Sequence, residues 1–125
     1  MEDEIIRVTG DTLGPYSSAV KAGDYIFVSG QIGFKDSKTG KPIQGIENQT
    51  KQCLENMKQV LAMLGSSLDN VVKVTVFLKS AGDFAQMNEI YKGYFPELRP
   101  ARSTVVADLI DPNMLIEMDC IAYRE

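Results

Sequence analysis

Histidine is absent from this chain of 125 residues, and cysteine occurs only twice, as Cys53 and Cys120. A single chain without histidine cannot form a Ser-His-Asp triad, a Cys-His pair or a histidine-ligated metal site. Two cysteines are too few for a disulfide scaffold, and their spacing matches no zinc-binding motif. Any acid–base chemistry must therefore come from carboxylates, tyrosine, lysine, cysteine or bound water.

Long apolar runs and an excess of positive charge are also missing. No apolar run approaches the roughly 20 residues that a membrane-spanning helix requires. Thirteen basic and 17 acidic residues give a net charge of −4. Since a protein with this balance gains little from neutralising phosphates, we do not expect a nucleic acid to be its partner. The acidic start, Met1 to Glu4, is the reverse of the basic start of a secretory signal and predicts a cytoplasmic protein.

The composition that remains is that of an ordinary globular domain, with 44% hydrophobic and 24% charged residues. It excludes a disordered tail, a collagen-like repeat and a low-complexity linker. A chain of this size buries roughly two thirds of the surface that it exposes when unfolded, which is enough for a core of its own. With no repeat or linker along its length, the sequence predicts one domain over residues 1–125.

Glycine, proline and changes of hydrophobic period divide the chain into six strands and two helices. Strands over Ser18–Ala22 and Tyr25–Ser29 flank Gly23-Asp24, a typical two-residue hairpin turn. Apolar residues recur at intervals of three and four over Ile46–Leu64, which predicts an amphipathic helix. The other predicted elements are strands over Glu4–Val8, Val71–Leu78, Arg102–Leu109 and Leu115–Tyr123, and a helix that begins at Asp83 with a capping box to Gln86 and ends before Pro96. The order βββαβαββ predicts an α+β fold, in which two helices pack on one face of a single sheet.

The strand Val71–Leu78 is apolar on both of its faces. One side carries Val72, Val74, Val76 and Leu78, and the other carries Val71, Thr75 and Phe77, with Lys73 as its charged residue. Two helices can cover only one face of such a sheet, and a strand that is apolar on both faces is typically buried on both. We therefore predict that the uncovered face packs against another subunit.

Two charged positions are candidates for chemistry. Arg102, in the tetrapeptide Pro100 to Ser103, is the first residue of a predicted strand. It could bind a carboxylate through two parallel hydrogen bonds, or it could be a surface or ion-pair arginine with no role in a site. Glu117 and Asp119 lie two residues apart on the face that we expect to be buried. Buried carboxylates are rare unless they are paired or functional, so these two predict either a site or an interface salt bridge.

Other candidates carry weaker signals. Tyr16 follows the rigid turn Gly14-Pro15 and is either a site residue or a packed turn tyrosine. Ser29-Gly30, at a predicted strand end, offers backbone groups to a ligand, although glycine is common at strand ends. Asn88, on the second helix, has no signal of its own. Both cysteines fall on apolar stripes and are predicted to lie in the core.

Six blocks of the sequence, in order and at the right spacing, resemble the reactive intermediate deaminase family, also called RidA, YjgF or translation-inhibitor-like. The blocks are Gly14-Pro15-Tyr16, Val28 to Ile32, Val74 to Leu78, Met87-Asn88-x-x-Tyr91, Pro100 to Ser103, and Ile116 to Ala122. The resemblance covers essentially the whole chain. The PARS tetrapeptide followed by the IE-x-x-x-IA strand is its most specific part.

The resemblance implies a chorismate-mutase-like α+β fold and a homotrimer, in which the sheets face inward as a barrel and a cleft lies at each subunit interface. It implies hydrolysis of 2-imino acids to 2-keto acids and ammonia, without a metal or a cofactor. The imines arise from enamines that pyridoxal-phosphate-dependent Ser/Thr dehydratases release. Small aliphatic 2-imino acids are the expected substrates.

Residue by residue, the resemblance makes Arg102 the carboxylate-binding arginine and Glu117 the acidic residue that positions water. Tyr16, Ser29, Gly30 and Asn88 match substrate-binding positions. Thr104 stands where relatives often have cysteine, so its backbone remains a candidate contact but a reactive thiol is absent.

Three alternatives remain open at this point. A non-catalytic trimer that binds small carboxylates would use the same arginine. An endoribonuclease or translation inhibitor is disfavoured by the acidic balance and the missing histidine. Chorismate mutase activity rests on fold analogy alone.

Overall fold

The structure, a computed structural model, describes residues 4–10 and 12–125. Within them the chain forms β1 (Ile5–Val8), β2 (Ala19–Ala22), β3 (Tyr25–Ile32), α1 (Ile46–Met63), β4 (Val71–Leu78), α2 (Phe84–Tyr94), β5 (Ala101–Val106) and β6 (Ile116–Tyr123). The predicted order βββαβαββ is confirmed. Neither helix of this described part is long and apolar enough to cross a membrane.

The strands form a single mixed sheet in the order β1-β2-β3-β6-β4-β5. All neighbouring strands are antiparallel except β4 and β5, which are parallel. The predicted hairpin joins β2 to β3, where Ala22 pairs with Tyr25 and Gly23 adopts a φ of 60° that favours glycine. The order places β5 at one edge of the sheet and β6 near its centre.

Both helices pack on one face of the sheet, as predicted. From α1, Leu54, Met57 and Leu61 are fully buried, and from β6 so are Ile116 and Met118. Full burial of such a side chain contributes about 1.5–3 kcal/mol each, so this face holds most of the apolar stabilisation.

Both cysteines lie in this core, which confirms the prediction for them. Burial raises the pKa of the Cys53 thiol, and it raises that of Cys120 to about 12. Since the thiolate is the reactive form of cysteine, neither residue is suited to nucleophilic chemistry.

A buried glutamine connects α1 to the segment that precedes β6. The side-chain amide of Gln49 donates to the carbonyls of Ile43 and Asn113, each at 3.0 Å. Its amide oxygen accepts from the backbone N–H of Leu115 at 2.9 Å. The start of β6, which carries Glu117, is therefore fixed against α1.

The face assignment of Val72 was wrong. The register of β4 against β6 shifts between Val71 and Lys73, so the strand contains a β-bulge there. Val71 is buried in the core, whereas Val72 is 45% exposed. Strict alternation fails because the bulge inserts one extra residue.

The predicted capping box of the second helix is also wrong. Asp83 makes no side-chain capping hydrogen bond to α2. Asp83 instead ends a 3₁₀ turn, Ala81–Asp83. The Ser80 hydroxyl caps this turn by accepting from the N–H of Gly82 at 3.2 Å. Because the chain enters α2 in a helical conformation, Asp83 lacks the extended backbone of a capping residue.

Strand β5 ends at Val106 and not at the predicted Leu109. Its neighbour β4 ends at Leu78, whose carbonyl accepts from the N–H of Ala107 at 2.9 Å. Beyond this hydrogen bond β4 has no strand residues left with which β5 could pair. The apolar residues after Val106 therefore do not continue the strand.

The second face of the sheet carries no helix in the described part of the chain. Large side chains there stay exposed, among them Tyr25, Phe27, Val105 and Tyr123. The rings of Tyr25 and Tyr123 meet edge to face, with centroids 5.6 Å apart. We call this surface the open face; that it packs on another subunit stays a prediction.

Candidate active site

Arg102 lies on a strand, as predicted, and this strand, β5, is at the edge of the sheet. Its side chain contacts aromatic rings of α2. It pairs in register with Val74, which is buried under the helices, so Arg102 points to the helix side of the sheet. Its guanidinium carbon lies 4.7 Å from the ring centroid of Tyr91 and 5.7 Å from that of Phe84. Both distances are within the range of cation–π attraction.

Asn88 and Thr104 belong to the same neighbourhood. Asn88 follows Phe84 by four residues and precedes Tyr91 by three, so the three share one face of α2. Thr104 is two residues after Arg102 and pairs with Val76, which places both β5 side chains on the helix side. We call Arg102, Thr104, Asn88, Phe84 and Tyr91 the arginine group.

Glu117 occupies the opposite side of the sheet. It lies between the buried residues Ile116 and Met118 and pairs with Phe77, so its side chain projects from the open face. The carboxylate lies directly over Gly30, and a Cβ at position 30 would collide with the Oε2 atom of Glu117. Glycine is therefore required there for the carboxylate to keep its place.

The environment of Glu117 favours a protonated carboxyl more than water does. Partial burial raises its pKa, and the negative charge of Asp119 raises it further. A carboxyl group whose pKa is raised toward neutrality suits general acid–base chemistry.

Ser29 and Gly30 do not lie at a strand end, contrary to the prediction. Strand β3 continues to Ile32, and its register against β6 shifts between Val28 and Gln31. The two residues thus form a bulge beside Asp119. The Ser29 hydroxyl donates to the carbonyl of Ser17 at 2.6 Å, which fixes the bulge to the preceding loop.

Tyr16, Ser29 and Gly30 line one groove of about 410 Å³ between β3 and α1. Val60 and Met63 of α1 form part of its apolar wall. Tyr16 is 47% exposed, and its hydroxyl accepts from the backbone N–H of Leu13 at 3.4 Å, so it also contacts its own turn. Its role as a site residue stays a prediction. We call Glu117, Gly30, Ser29 and Tyr16 the glutamate group, because Gly30 joins the groove to the carboxylate.

The structure assembles these two groups but does not bring them together within one chain. Strand β4 separates β5 from β6, so Arg102 and Glu117 lie two strand spacings apart across the sheet, roughly 10 Å. Arg102 pairs with Val74 and Glu117 with Phe77, so the two are also offset by three residues along β4, which adds roughly another 10 Å. Their side chains also project from opposite faces of the sheet. A site that uses both residues therefore needs a second copy of the chain.

Sequence analysis missed the contacts that Phe84 and Tyr91 make with Arg102. Tyr91 is 8% exposed, and its hydroxyl has no hydrogen-bond partner in the part of the chain that the structure describes. Burial raises the pKa of this phenol to about 12, although the Arg102 charge opposes the shift. The available signal was the spacing of two aromatic residues around Asn88.

Comparisons with known proteins agree with this architecture. A family model described as Endoribonuclease L-PSP matches residues 7–124. A RutC family protein of Pyrococcus horikoshii is 50% identical over 114 residues, which cover 90% of this chain and 90% of that protein.

Two further relatives carry deaminase-family names. Reactive Intermediate Deaminase A, chloroplastic, of Arabidopsis thaliana is 44% identical over 111 residues, which cover 88% of this chain and 59% of the plant protein. The crystal structure of RidA from the Antarctic bacterium Psychrobacter superposes with a TM-score of 0.85 at 36% identity, covering 90% of this chain and 91% of the other. With its chorismate-mutase-like sheet and helices, the chain belongs to the reactive intermediate deaminase family, RidA or YjgF.

Proposed function

We propose that this protein hydrolyses small 2-imino acids to 2-keto acids and ammonia, at clefts between the subunits of a homotrimer. The observation that carries the proposal is the division of the candidate site. Among the described residues, Arg102 on the edge strand and Glu117 on the open face form no ion pair. The two lie apart in one chain, in a fold whose relatives include a named deaminase. In a closed ring of subunits, the arginine group of one subunit meets the glutamate group of the next.

Arg102 supplies the binding half of this proposal. No Asp or Glu of the described residues forms an ion pair with it, so its planar set of donors is available to a ligand. A guanidinium binds a carboxylate through two parallel hydrogen bonds, which fix both position and orientation. The carbon that carries the imine is adjacent to that carboxylate and is thereby positioned for attack.

Glu117 supplies the chemical half. As water attacks the protonated imine carbon, the carboxylate accepts one of its protons and a C–O bond forms. The same proton returns to the nitrogen of the resulting amino alcohol, the C–N bond breaks, and ammonia leaves. The remaining hydroxyl proton is lost to give the keto acid, so one imine and one water yield one keto acid and one ammonia.

The open face supports the proposed trimer. It presents the exposed side chains of Phe27, Val105 and Tyr25 on the same surface as Glu117. Contiguous exposed apolar patches are typical of protein–protein contacts. Burial of this surface by a neighbour would also exclude bulk water from the carboxylate.

A coupled assay tests the activity directly. A pyridoxal-phosphate-dependent dehydratase generates 2-aminoacrylate or 2-aminocrotonate, and release of the keto acid is followed with and without the protein. We expect the protein to accelerate keto acid release beyond the spontaneous rate. An unchanged rate, together with tight keto acid binding, would instead indicate the non-catalytic carboxylate-binding trimer.

Two substitutions test the roles of the two groups. Arg102→Lys keeps the charge but loses the planar fork, and we expect it to lose most activity. Glu117→Gln keeps the shape but removes the base, and we expect turnover to fall by about 10²–10⁴-fold while keto acid binding persists. If Glu117 only forms an interface salt bridge, Glu117→Gln will lower the fraction of protein that is trimeric, while the remaining trimers keep their full specific activity.

Mixing these two inactive variants tests whether the site is shared between subunits. A cleft is intact only when one subunit supplies Arg102 and the next supplies Glu117. Random co-assembly of equal amounts makes about a quarter of the clefts intact, so we expect a comparable fraction of wild-type activity to return. A mixture that stays inactive, although light scattering shows mixed trimers, would contradict a shared site.

The description of the matching family model makes endoribonuclease activity the second candidate. The net charge of −4 disfavours a long contact with RNA phosphates. Incubation of the same preparation with labelled single-stranded RNA distinguishes the two. RNA cleavage that Arg102→Lys abolishes, without imine turnover, would replace the proposed function.

A further inference from the structure

The arginine group contains two aromatic residues to which the proposed reaction assigns no role. Phe84 and Tyr91 are seven residues apart on α2, so they project from the same helix face about 10 Å apart along the axis. The guanidinium carbon of Arg102 lies 5.7 Å from one ring centroid and 4.7 Å from the other. Both rings therefore lie within cation–π distance of the same guanidinium.

We propose that Phe84 and Tyr91 form an aromatic clamp that positions Arg102 for a carboxylate ligand, with Tyr91 as the nearer ring. The proposal rests on the proposed function for the identity of that ligand. Rings hold a guanidinium by its face and leave the N–H donors at its edge free for paired hydrogen bonds. A carboxylate of the same chain would hold the cation equally well but would occupy those donors.

The ring of Tyr91 faces the guanidinium, with its centroid 4.7 Å from the guanidinium carbon, and the hydroxyl lies close enough to Arg102 for the cation to oppose the rise in the pKa of the phenol. The hydroxyl is buried and has no hydrogen-bond partner among the described residues. The ring packs against that of Phe95, with centroids 4.8 Å apart, so its orientation is fixed from behind. Phe84 is 45% exposed and lies farther from the cation, so we expect its ring to contribute less.

The clamp also bears on Asn88, a predicted substrate-binding residue. This residue lies on the helix turn between the two rings, and it is therefore next to the guanidinium that they hold. An amide at this position would offer a ligand a donor without adding a negative charge that competes for Arg102. Tyr91 and Phe84 are thus positioning residues, because they act on the substrate through Arg102.

Calorimetric titration with 2-ketobutyrate tests the clamp on trimers verified by light scattering. Replacing Tyr91 with Leu removes the nearer ring, and we expect the Kd to rise by about 5- to 30-fold. Phe84→Leu should give a smaller rise, and Tyr91→Phe, which keeps the ring, should bind within about twofold of wild type. Tyr94→Leu is the matched control, since this tyrosine is on the same helix but donates to Glu55 of α1.

The outcomes separate this inference from the proposed function. Unchanged binding in Tyr91→Leu and Phe84→Leu would overturn the clamp, as would a loss in Tyr91→Phe equal to that in Tyr91→Leu. If Tyr91→Leu does not fold, the exposed Phe84 variant and Tyr91→Phe still decide. Wild-type binding without imine turnover would overturn the proposed function alone, whereas failure of the wild type to bind 2-ketobutyrate would overturn both.

Discussion

The two faces of the sheet differ in how completely this chain covers them. Under the helices, Ile26, Val76 and Met118 are fully buried. On the open face Phe27, the direct sequence neighbour of Ile26, remains 47% exposed. Because soluble monomers rarely expose a large apolar patch, the covered face accounts for folding and the open face has the composition of a contact surface.

The same difference separates the two candidate groups. Arg102 is on the covered side, where rings of α2 hold it at the sheet edge. Glu117 is on the open side, where partial burial and Asp119 raise its pKa. Each group is held rigidly by its own chain, and assembly is the step that would join them. Disrupting one face should therefore affect folding, and disrupting the other should affect assembly and turnover.

A pair of adjacent substitutions on β4 gives the largest expected contrast. Val76 is fully buried under the helices, and Phe77 projects from the open face. Val76→Asp buries an unpaired carboxylate, at a cost of roughly 4 kcal/mol or more, so we expect loss of the folded state. Phe77→Asp should keep the far-UV circular dichroism of the fold but give monomers by light scattering.

Either of two results would remove this contrast. A Phe77→Asp protein that remains trimeric would show that the open face is not the contact surface. One that unfolds together with Val76→Asp would show that the chain cannot fold without its partners.

A smaller effect is expected from a substitution at Gly30, which lies against the carboxylate of Glu117 within the glutamate group. Gly30→Ala places a Cβ against the Glu117 carboxylate, which must move. A shift of about 1 Å in a positioned group can cost roughly 10²-fold in rate, so we expect turnover to fall to that extent with little loss of folding. Gly93→Ala is the matched control, because its Cβ meets no atom within 4 Å and it lies in α2.

The control has its own expected outcome, since alanine is a better helix former than glycine. Thermal unfolding should show Gly93→Ala more stable by about 0.5–1 kcal/mol with unchanged turnover. Equal turnover in the Gly30 and Gly93 variants would mean that the position of the Glu117 carboxylate does not limit the reaction.

Much of this fold was predictable because its signals are local. The hydrophobic period and the Gly23-Asp24 turn predicted the order of the elements and the single face that the helices cover. The bulges at Val72 and at Ser29-Gly30 were not predictable, because an inserted residue depends on how two distant strands pair. The predicted capping box at Asp83 was wrong for a similar reason. The residue types match a capping box, but the backbone at Asp83 is already helical.

The candidate site was less predictable than the fold. Arg102 and Glu117 stood out through residue type and the family resemblance, and whether they act in catalysis stays a prediction. Their location on opposite faces follows from the register in which β5 and β6 pair with β4. No local pattern in the sequence predicts that register. The contact of Phe84 and Tyr91 with Arg102 is tertiary, so the spacing of the two aromatic residues on α2 does not predict it by itself.

The smallest expected effect is a change in pH dependence caused by Asp119. Partial burial and the Asp119 charge both raise the pKa of Glu117, and a base must be deprotonated to act, so activity should fall as the pH drops through that raised pKa. Asp119→Asn removes the negative neighbour and lowers the pKa of Glu117, which should move the acid limb of kcat/KM to lower pH. The plateau at higher pH should stay unchanged.

The same shift fixes the sign of the effect on stability. A carboxyl whose pKa is raised by folding contributes stability that is present below its unfolded pKa and is lost as the pH rises through the raised value. Asp119→Asn reduces that loss, so the variant should unfold at a slightly higher temperature than wild type at neutral pH, while the difference disappears in acid. Wild type and Asp119→Asn with superimposable pH–rate profiles would show that the group titrating in the acid limb is not Glu117.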